Sequence, residues 1–186
     1  SRYGPQELEN ITVFDGISRL VGSDVEIVYA KGCETRNYGW PESEIIPLPL
    51  KDEEKKAMED AVGLAEGCDV IIAVLGEDEQ CTGEGKSRSD LNLPGHQQLL
   101  LEKLHATGKP VVLVLVNGQP LTINWADKYI PAILETWFPG QLGGEAIANT
   151  LFGIYNPGGR LPVTFPKTTG QIELNFPFKP GSHAAQ

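Results

Sequence analysis

The chain has 186 residues, 40% of them hydrophobic and 22% charged, enough for one domain with a genuine core. No run approaches the roughly 20 apolar residues of a membrane-spanning helix. With 15 Lys and Arg against 25 Asp and Glu, the formal charge is −10, which repels phosphate backbones and anionic lipid and so excludes nucleic acid and charged membrane surfaces as partners.

The opening Ser1-Arg2-Tyr3-Gly4-Pro5 holds neither an initiator Met nor a secretion signal, which predicts a chain processed or excised from something longer. A short helix is predicted over Thr12 to Val21, with Val13, Ile17 and Leu20 at helical spacing and Gly22 as its stop. Val25 to Tyr29 reads as a short strand. Gly32, Asn37, Gly39, Pro41, Pro47 and Pro49 break any period over residues 31–52. Asp52 is placed to cap a helix from Glu53 to Glu66, with Ala57, Ala61, Leu64 and Ala65 on one face and Gly67 at its end.

Val70–Leu75 and Val111–Val116 are continuous apolar runs of strand length, mostly β-branched and without alternation. That pattern predicts strands buried on both faces at the centre of a parallel sheet. A helix opened by Pro94 and closed by Gly108, with Leu100, Leu101 and Leu104 inward, joins them into one complete βαβ unit. A short helix near Ile123 to Asp127, a third strand over Ala132 to Trp137 and a last helix over Gly144 to Leu151 follow. From Tyr155 onward five prolines mark an irregular strap. The fold class is α/β, a mostly parallel sheet between helices. Its start is unusual, because a helix precedes the first clear strand. Either Ile11 to Phe14 is the opening strand or that strand lies upstream, and the second is the preferred reading.

Cys33, Cys68 and Cys81 form an odd set with no Cys-x-x-Cys, so they are read as small buried or half-buried thiols, outside any disulfide framework or zinc site. His96 and His105 stand nine apart on one predicted helix, too far round to share a metal, and are expected at the surface. No Gly-x-Ser-x-Gly elbow occurs. Trp125, Trp137 and Phe138 fit core packing better than a sugar platform. No metal or cofactor site is read.

Parallel sheets place ligand sites in the loops after the strand carboxyl ends. The loop from Gly76 to Asp90 is long for a simple connection and carries five carboxylates against two cations. Gly85-Lys86-Ser87 looks like the end of a phosphate-binding loop, but Gln80 stands where that motif needs its first Gly, and the net negative charge opposes a triphosphate. By composition alone this is a solvated acidic loop. The feature that departs from that reading is Glu84 between Gly83 and Gly85, a carboxylate kept clear of bulk on both sides and able to project into a site built elsewhere. Lys86 and Arg88 are placed to hold the loop. Glu77 and Glu79 are the rival carboxylates, nearer the strand end and read as structural or solvated.

At this loop the chain resembles the second domain of family 3 glycoside hydrolases, and within it the bacterial periplasmic β-glucosidase branch. The stretches that carry the resemblance are Asp69–Glu77, Gly83-Glu-Gly-Lys-Ser-Arg-Ser-Asp-Leu-Asn-Leu-Pro94, Gly108–Pro120, Leu134-Glu-Thr-Trp-Phe-Pro-Gly140, Gly143–Ala148, Leu151–Pro162 and Thr164–Pro166. Together they cover about half of the chain in order. The resemblance implies a retaining β-glycosidase whose nucleophile is an Asp on a preceding barrel domain, outside these residues. It implies that Glu84, ahead of Ser87-Arg88, is the general acid/base, with Thr82, Lys86 and Arg88 on the substrate side of its loop.

It further implies a domain over residues 1–180, lacking the family's opening strand, and the start of a linker over 181–186. The partners implied are a β-linked oligosaccharide or glycoside and the barrel of the same longer chain. The implied location is periplasmic or secreted. An unfilled strand position also predicts self-association. A β-xylosidase stays open as the activity, since glycone recognition lies mostly on the barrel. So does a flavodoxin-like binding or interaction module. The chemistry suits the family reading: retaining hydrolysis needs two carboxyls about 5–5.5 Å apart, one of them protonated to expel the aglycone and then ionised to activate water.

Overall fold

The computed structural model describes residues 9–172 and residue 174; the linker expected at 181–186 lies outside the described residues. The first helix, α1 (Val13–Val21), begins at a reciprocal cap. The Asp15 amide donates to Thr12 Oγ1 at 3.1 Å, and the Thr12 amide donates to Asp15 Oδ2 at 3.0 Å. Ile11 to Phe14 therefore forms no strand. Val25 to Tyr29 runs extended but joins no ladder among the described residues, and Val25, Val28 and Tyr29 are exposed, so the expected strand is not formed there. A strand exists only through its partner, which four β-prone residues in a run of five do not supply by themselves.

Helix α2 (Asp52–Glu66) starts one residue earlier than expected, with Lys51 at the cap position and Asp52 in the acidic first turn, where carboxylates favour the helix dipole. Its buried residues are Met58, Ala61 and Ala65, while Leu64 is exposed. Strand β1 (Ile71–Gly76) then leads through the long loop to α3 (Gln97–Ala106), which buries Leu100, Leu101 and Leu104. Pro94 and Gly95 precede that helix as a turn. Strand β2 (Val111–Val116), α4 (Asn124–Tyr129), β3 (Ala132–Glu135) and α5 (Gly143–Leu151) follow.

The sheet is parallel in the order β1-β2-β3, with Ile71 opposite Val111 and Leu113 opposite Ile133. Val111, Leu113 and Leu115 point to one face and join the core formed with Met58, Leu101, Leu104, Ala126 and Ile130, while Val114, on the other face, is equally buried. So β2 is central and largely buried, as predicted, with Val112 and Val116 half-buried. Strand β1 is not. Among the described residues it pairs only with β2, and Val70 and Val74 are 49% and 43% exposed. The unalternating sequence reports two apolar faces, not whether the edge is covered.

Helices α1 and α5 cross with backbones in contact. A Cβ on Gly16 would stand 2.1 Å from the Gly144 carbonyl oxygen, and one on Gly144 would stand 2.0 Å from that of Thr12. The tail packs Phe165 edge-on against Trp137 and is tied by the Asn124 side chain to the Lys167 carbonyl at 2.6 Å.

His96 and His105 are half-buried rather than exposed. His96 lies between the Glu54 carboxylate and the Leu48 carbonyl. His105 packs edge-on against Trp125 and Tyr129. Cys33 and Cys81 are buried, and burial pushes their thiols up to about 12 and about 11.

Candidate active-site loop

The carboxyl end of β1 hands over to a loop whose first residues are pinned. The backbone of Gly76 faces away from β2, and the buried Gln97 side chain satisfies it. Gln97 Oε1 accepts from the Gly76 amide at 2.7 Å, and its Nε2 donates to the carbonyls of Gly76 at 2.7 Å and Thr35 at 2.6 Å. One amide thus replaces a neighbouring strand at this point. Nothing in the apolar spacing of α3 marks Gln97 for that work.

Next, Glu77 is fully buried. Its carboxylate accepts from Arg88 Nη1 at 2.5 Å, Gln119 Nε2 at 2.8 Å and the Gly118 amide at 3.1 Å. Asp78 folds the chain back, accepting from the amides of Gln80 at 2.9 Å and Cys81 at 3.1 Å and pairing with Arg36 at 3.1 Å. Burial opposes its charge, but those donors hold its carboxyl below the ordinary value. Glu79 is exposed.

The loop narrows to a tip. Thr82 is half-buried, close to Gly118 and Phe138, and the Lys86 amide donates to the Gly83 carbonyl at 3.1 Å across a turn. Gly83 and Gly85 have φ of 125° and 72°, and among the described residues beyond their chain neighbours a Cβ on either would meet nothing within 4 Å. The turn thus demands left-handed backbone on both sides of Glu84, which is itself exposed at the tip. Lys86 is exposed and reaches Gln80 Oε1 at 3.2 Å. Of the residues expected to face substrate, Glu84 and Lys86 lie at the surface of the tip, Thr82 beneath it, and Arg88 is turned inward.

Arg88 ends the loop. Besides Glu77 it donates from Nε to Glu44 Oε1 at 2.6 Å and from Nη2 to the Asn92 carbonyl at 2.7 Å. Glu44 comes from the proline-broken excursion between α1 and α2, and its other oxygen accepts from the Ser89 amide at 2.7 Å and hydroxyl at 2.9 Å. Burial opposes both charges, yet Glu44 stays below the ordinary carboxylate value and Arg88 above the ordinary guanidinium value, each held by the other. Sequence reading missed Glu44: 44 residues separate it from Arg88, and a Glu amid prolines has no distinguishing pattern.

Trp125 packs against the core and Trp137 against Phe165, whereas Phe138 is exposed. Among the described residues no group of three or more His, Cys, Asp or Glu side chains is placed to hold a metal ion, and no helix is long and apolar enough to cross a membrane.

The sequence model described as the glycosyl hydrolase family 3 C-terminal domain matches residues 3–184. A β-xylosidase from Formosa agariphila is 39% identical over 170 residues, and a periplasmic β-glucosidase from Salmonella typhimurium is 42% identical over 177 residues. These matches take in 91% and 90% of this chain but only 21% and 23% of the relatives, so the chain spans about a fifth of their length. Among solved structures, a β-glucosidase from Erythrobacter marinus superposes with a TM-score of 0.76 at 32% identity, over 91% of this chain and 24% of that one.

Proposed function

The chain belongs to glycosyl hydrolase family 3, as its C-terminal domain, and from that premise we propose that it supplies the general acid/base, Glu84, of a retaining β-glycosidase. The observation that carries this reading is the placement of Glu84. It is an exposed carboxylate between two left-handed glycines, at the tip of a loop that leaves the carboxyl end of a parallel strand. In the first step Glu84 gives its proton to the glycosidic oxygen as the bond breaks. In the second it takes a proton from the water that attacks the glycosyl-enzyme. The nucleophile is an Asp outside residues 1–186, on an N-terminal barrel domain of a longer chain, so this domain alone hydrolyses nothing.

Substrates are β-linked, with a terminal non-reducing β-D-glucosyl unit as the first assignment. The Salmonella typhimurium relative supports that glycone and a periplasmic or secreted location. The Formosa agariphila relative supports β-xylosides as the second reading. Kinetics of the longer protein on matched aryl β-glucoside and β-xyloside separate the two. We place the domain at residues 1–180 and the start of a linker at 181–186.

The test is Glu84→Ala in the longer protein. Turnover of glycosides with poor leaving groups is expected to fall about 10²–10⁴-fold, while an activated aryl glycoside, whose departure needs little protonation, loses much less in glycosylation. Full activity in Glu84→Ala, with that pattern of loss in Glu77→Ala or Glu79→Ala, moves the assignment to the rival carboxylate. Hydrolysis by the 186-residue chain alone contradicts an external nucleophile.

A further inference from the structure

Resting on the reading of Glu84 as acid/base, we propose that Arg88 is a positioning residue. With Glu44 and Glu77 it clasps the two ends of the loop and so fixes where the Glu84 carboxyl stands, without touching substrate. Around Glu84 the backbone has room: among the described residues no atom beyond the chain neighbours lies within 4 Å of where a Cβ on either flanking glycine would stand, and Glu84 is exposed. The ties further out, Lys86 to Gln80 and Arg36 to Asp78, are at best partly buried, and such pairs constrain little.

The base is different. The side chains of Arg88, Glu44 and Glu77 are 3%, 5% and 0% exposed. One guanidinium fastens the first residue of the loop (Glu77), the chain just beyond its end (the Asn92 carbonyl) and a separate segment (Glu44). Glu77 in turn grips the turn after β2 through the Gly118 amide and Gln119. Burying one cation with several carboxylates is a poor way to gain stability, since apolar side chains of like volume often do as well. What such a network does supply is geometry. A planar guanidinium with fixed donors sets distances and directions that a single ammonium cannot reproduce. Arg88 lies four residues from Glu84, so a shift at the clasp is passed directly to the tip, and misplacing a catalytic group by about 1 Å can cost about 10²-fold.

A double-mutant cycle in the longer protein tests this. Arg88→Lys keeps the charge and loses the fork. In the presence of Glu84 it is expected to lower kcat on a poor-leaving-group glycoside roughly 10- to 100-fold, with KM and the affinity for a glycone-mimicking inhibitor unchanged. In the Glu84→Ala background the same substitution is expected to cost less than about threefold, because a group that acts through Glu84 has nothing left to position. Glu44→Gln, which retains an oxygen for Arg88 Nε, is the second variant, with the same pattern at smaller size. It serves if Arg88→Lys does not fold.

Equal losses in both backgrounds overturn the proposal and leave Arg88 a structural residue. A raised KM and weakened inhibitor also overturn it, by placing Arg88 on the substrate. In either case the reading of Glu84 stands if Glu84→Ala alone shows the expected loss. If Glu84→Ala alone is fully active, both fall.

Discussion

Glu135 ends β3 with its two oxygens in unequal settings. Oε1 accepts from the Trp137 amide at 2.9 Å; among the described residues the buried Oε2 has no well-aligned hydrogen bond, although the Asn117 side chain lies beside it, and neither has Oδ1 of Asn117. Burial pushes the carboxyl up, the Trp137 amide and the Asn117 side chain resist, and the Glu77 charge adds to the push. A folded-state pKa above the unfolded value of about 4.3 means that Glu135 costs stability as pH rises through the carboxylate range, and the cost is complete once its folded value is passed. Glu135→Gln keeps the oxygen for Trp137 and offers a donor to Asn117 Oδ1. The variant is expected to be more stable by about 1 kcal/mol near neutral pH, with the gain shrinking toward about pH 4. Urea unfolding at the two pH values checks this; an unchanged or lower midpoint at neutral pH contradicts it. At this scale the sequence was readable where local covalent pattern decides, as for Glu84 between its glycines. It was silent where a side chain finds a distant partner, as Glu44 and Gln97 do.

Among the elements, the crossing of α1 and α5 gives opposing effects whose sizes decide the sign. Ala is favoured over Gly within a helix by about 1 kcal/mol, so Gly16→Ala should stabilise α1 taken alone. In the fold its methyl would meet the Gly144 carbonyl at 2.1 Å. That contact is with backbone on another helix and cannot be relieved by a rotamer, and overpacking of this kind costs about 1–3 kcal/mol. Gly16→Ala is therefore expected to lower the unfolding midpoint, as read by thermal melting followed by circular dichroism; a raised midpoint would mean that the helices part easily. The helices were legible because an apolar face is a property of the helix itself. Strand β2 was legible for the same reason. Val25 to Tyr29 was misread, since extended residues become a strand only when a partner takes their hydrogen bonds.

For the molecule as a whole, the open side of β1 bears most directly on behaviour in solution. Val70 and Val74 are exposed there, and Val28 and Leu64 line the groove beside it. Such an edge recruits strands, so the 186-residue chain is expected to self-associate with rising concentration in light scattering, and a concentration-independent monomer contradicts this. On the proposed reading, function at this scale is division of labour: the domain would deliver the acid/base on its loop, and a longer chain would supply the nucleophile and the glycone pocket. The most direct test of that account is the product formed when the Glu84→Ala variant of the longer protein turns over an activated aryl β-glycoside in azide. With the nucleophile intact and the acid/base removed, azide should restore turnover and be captured as the β-configured glycosyl azide, by retention through the covalent intermediate. An α-configured azide would make Glu84 the nucleophile, and no rescue with unimpaired hydrolysis would remove it from the chemistry altogether.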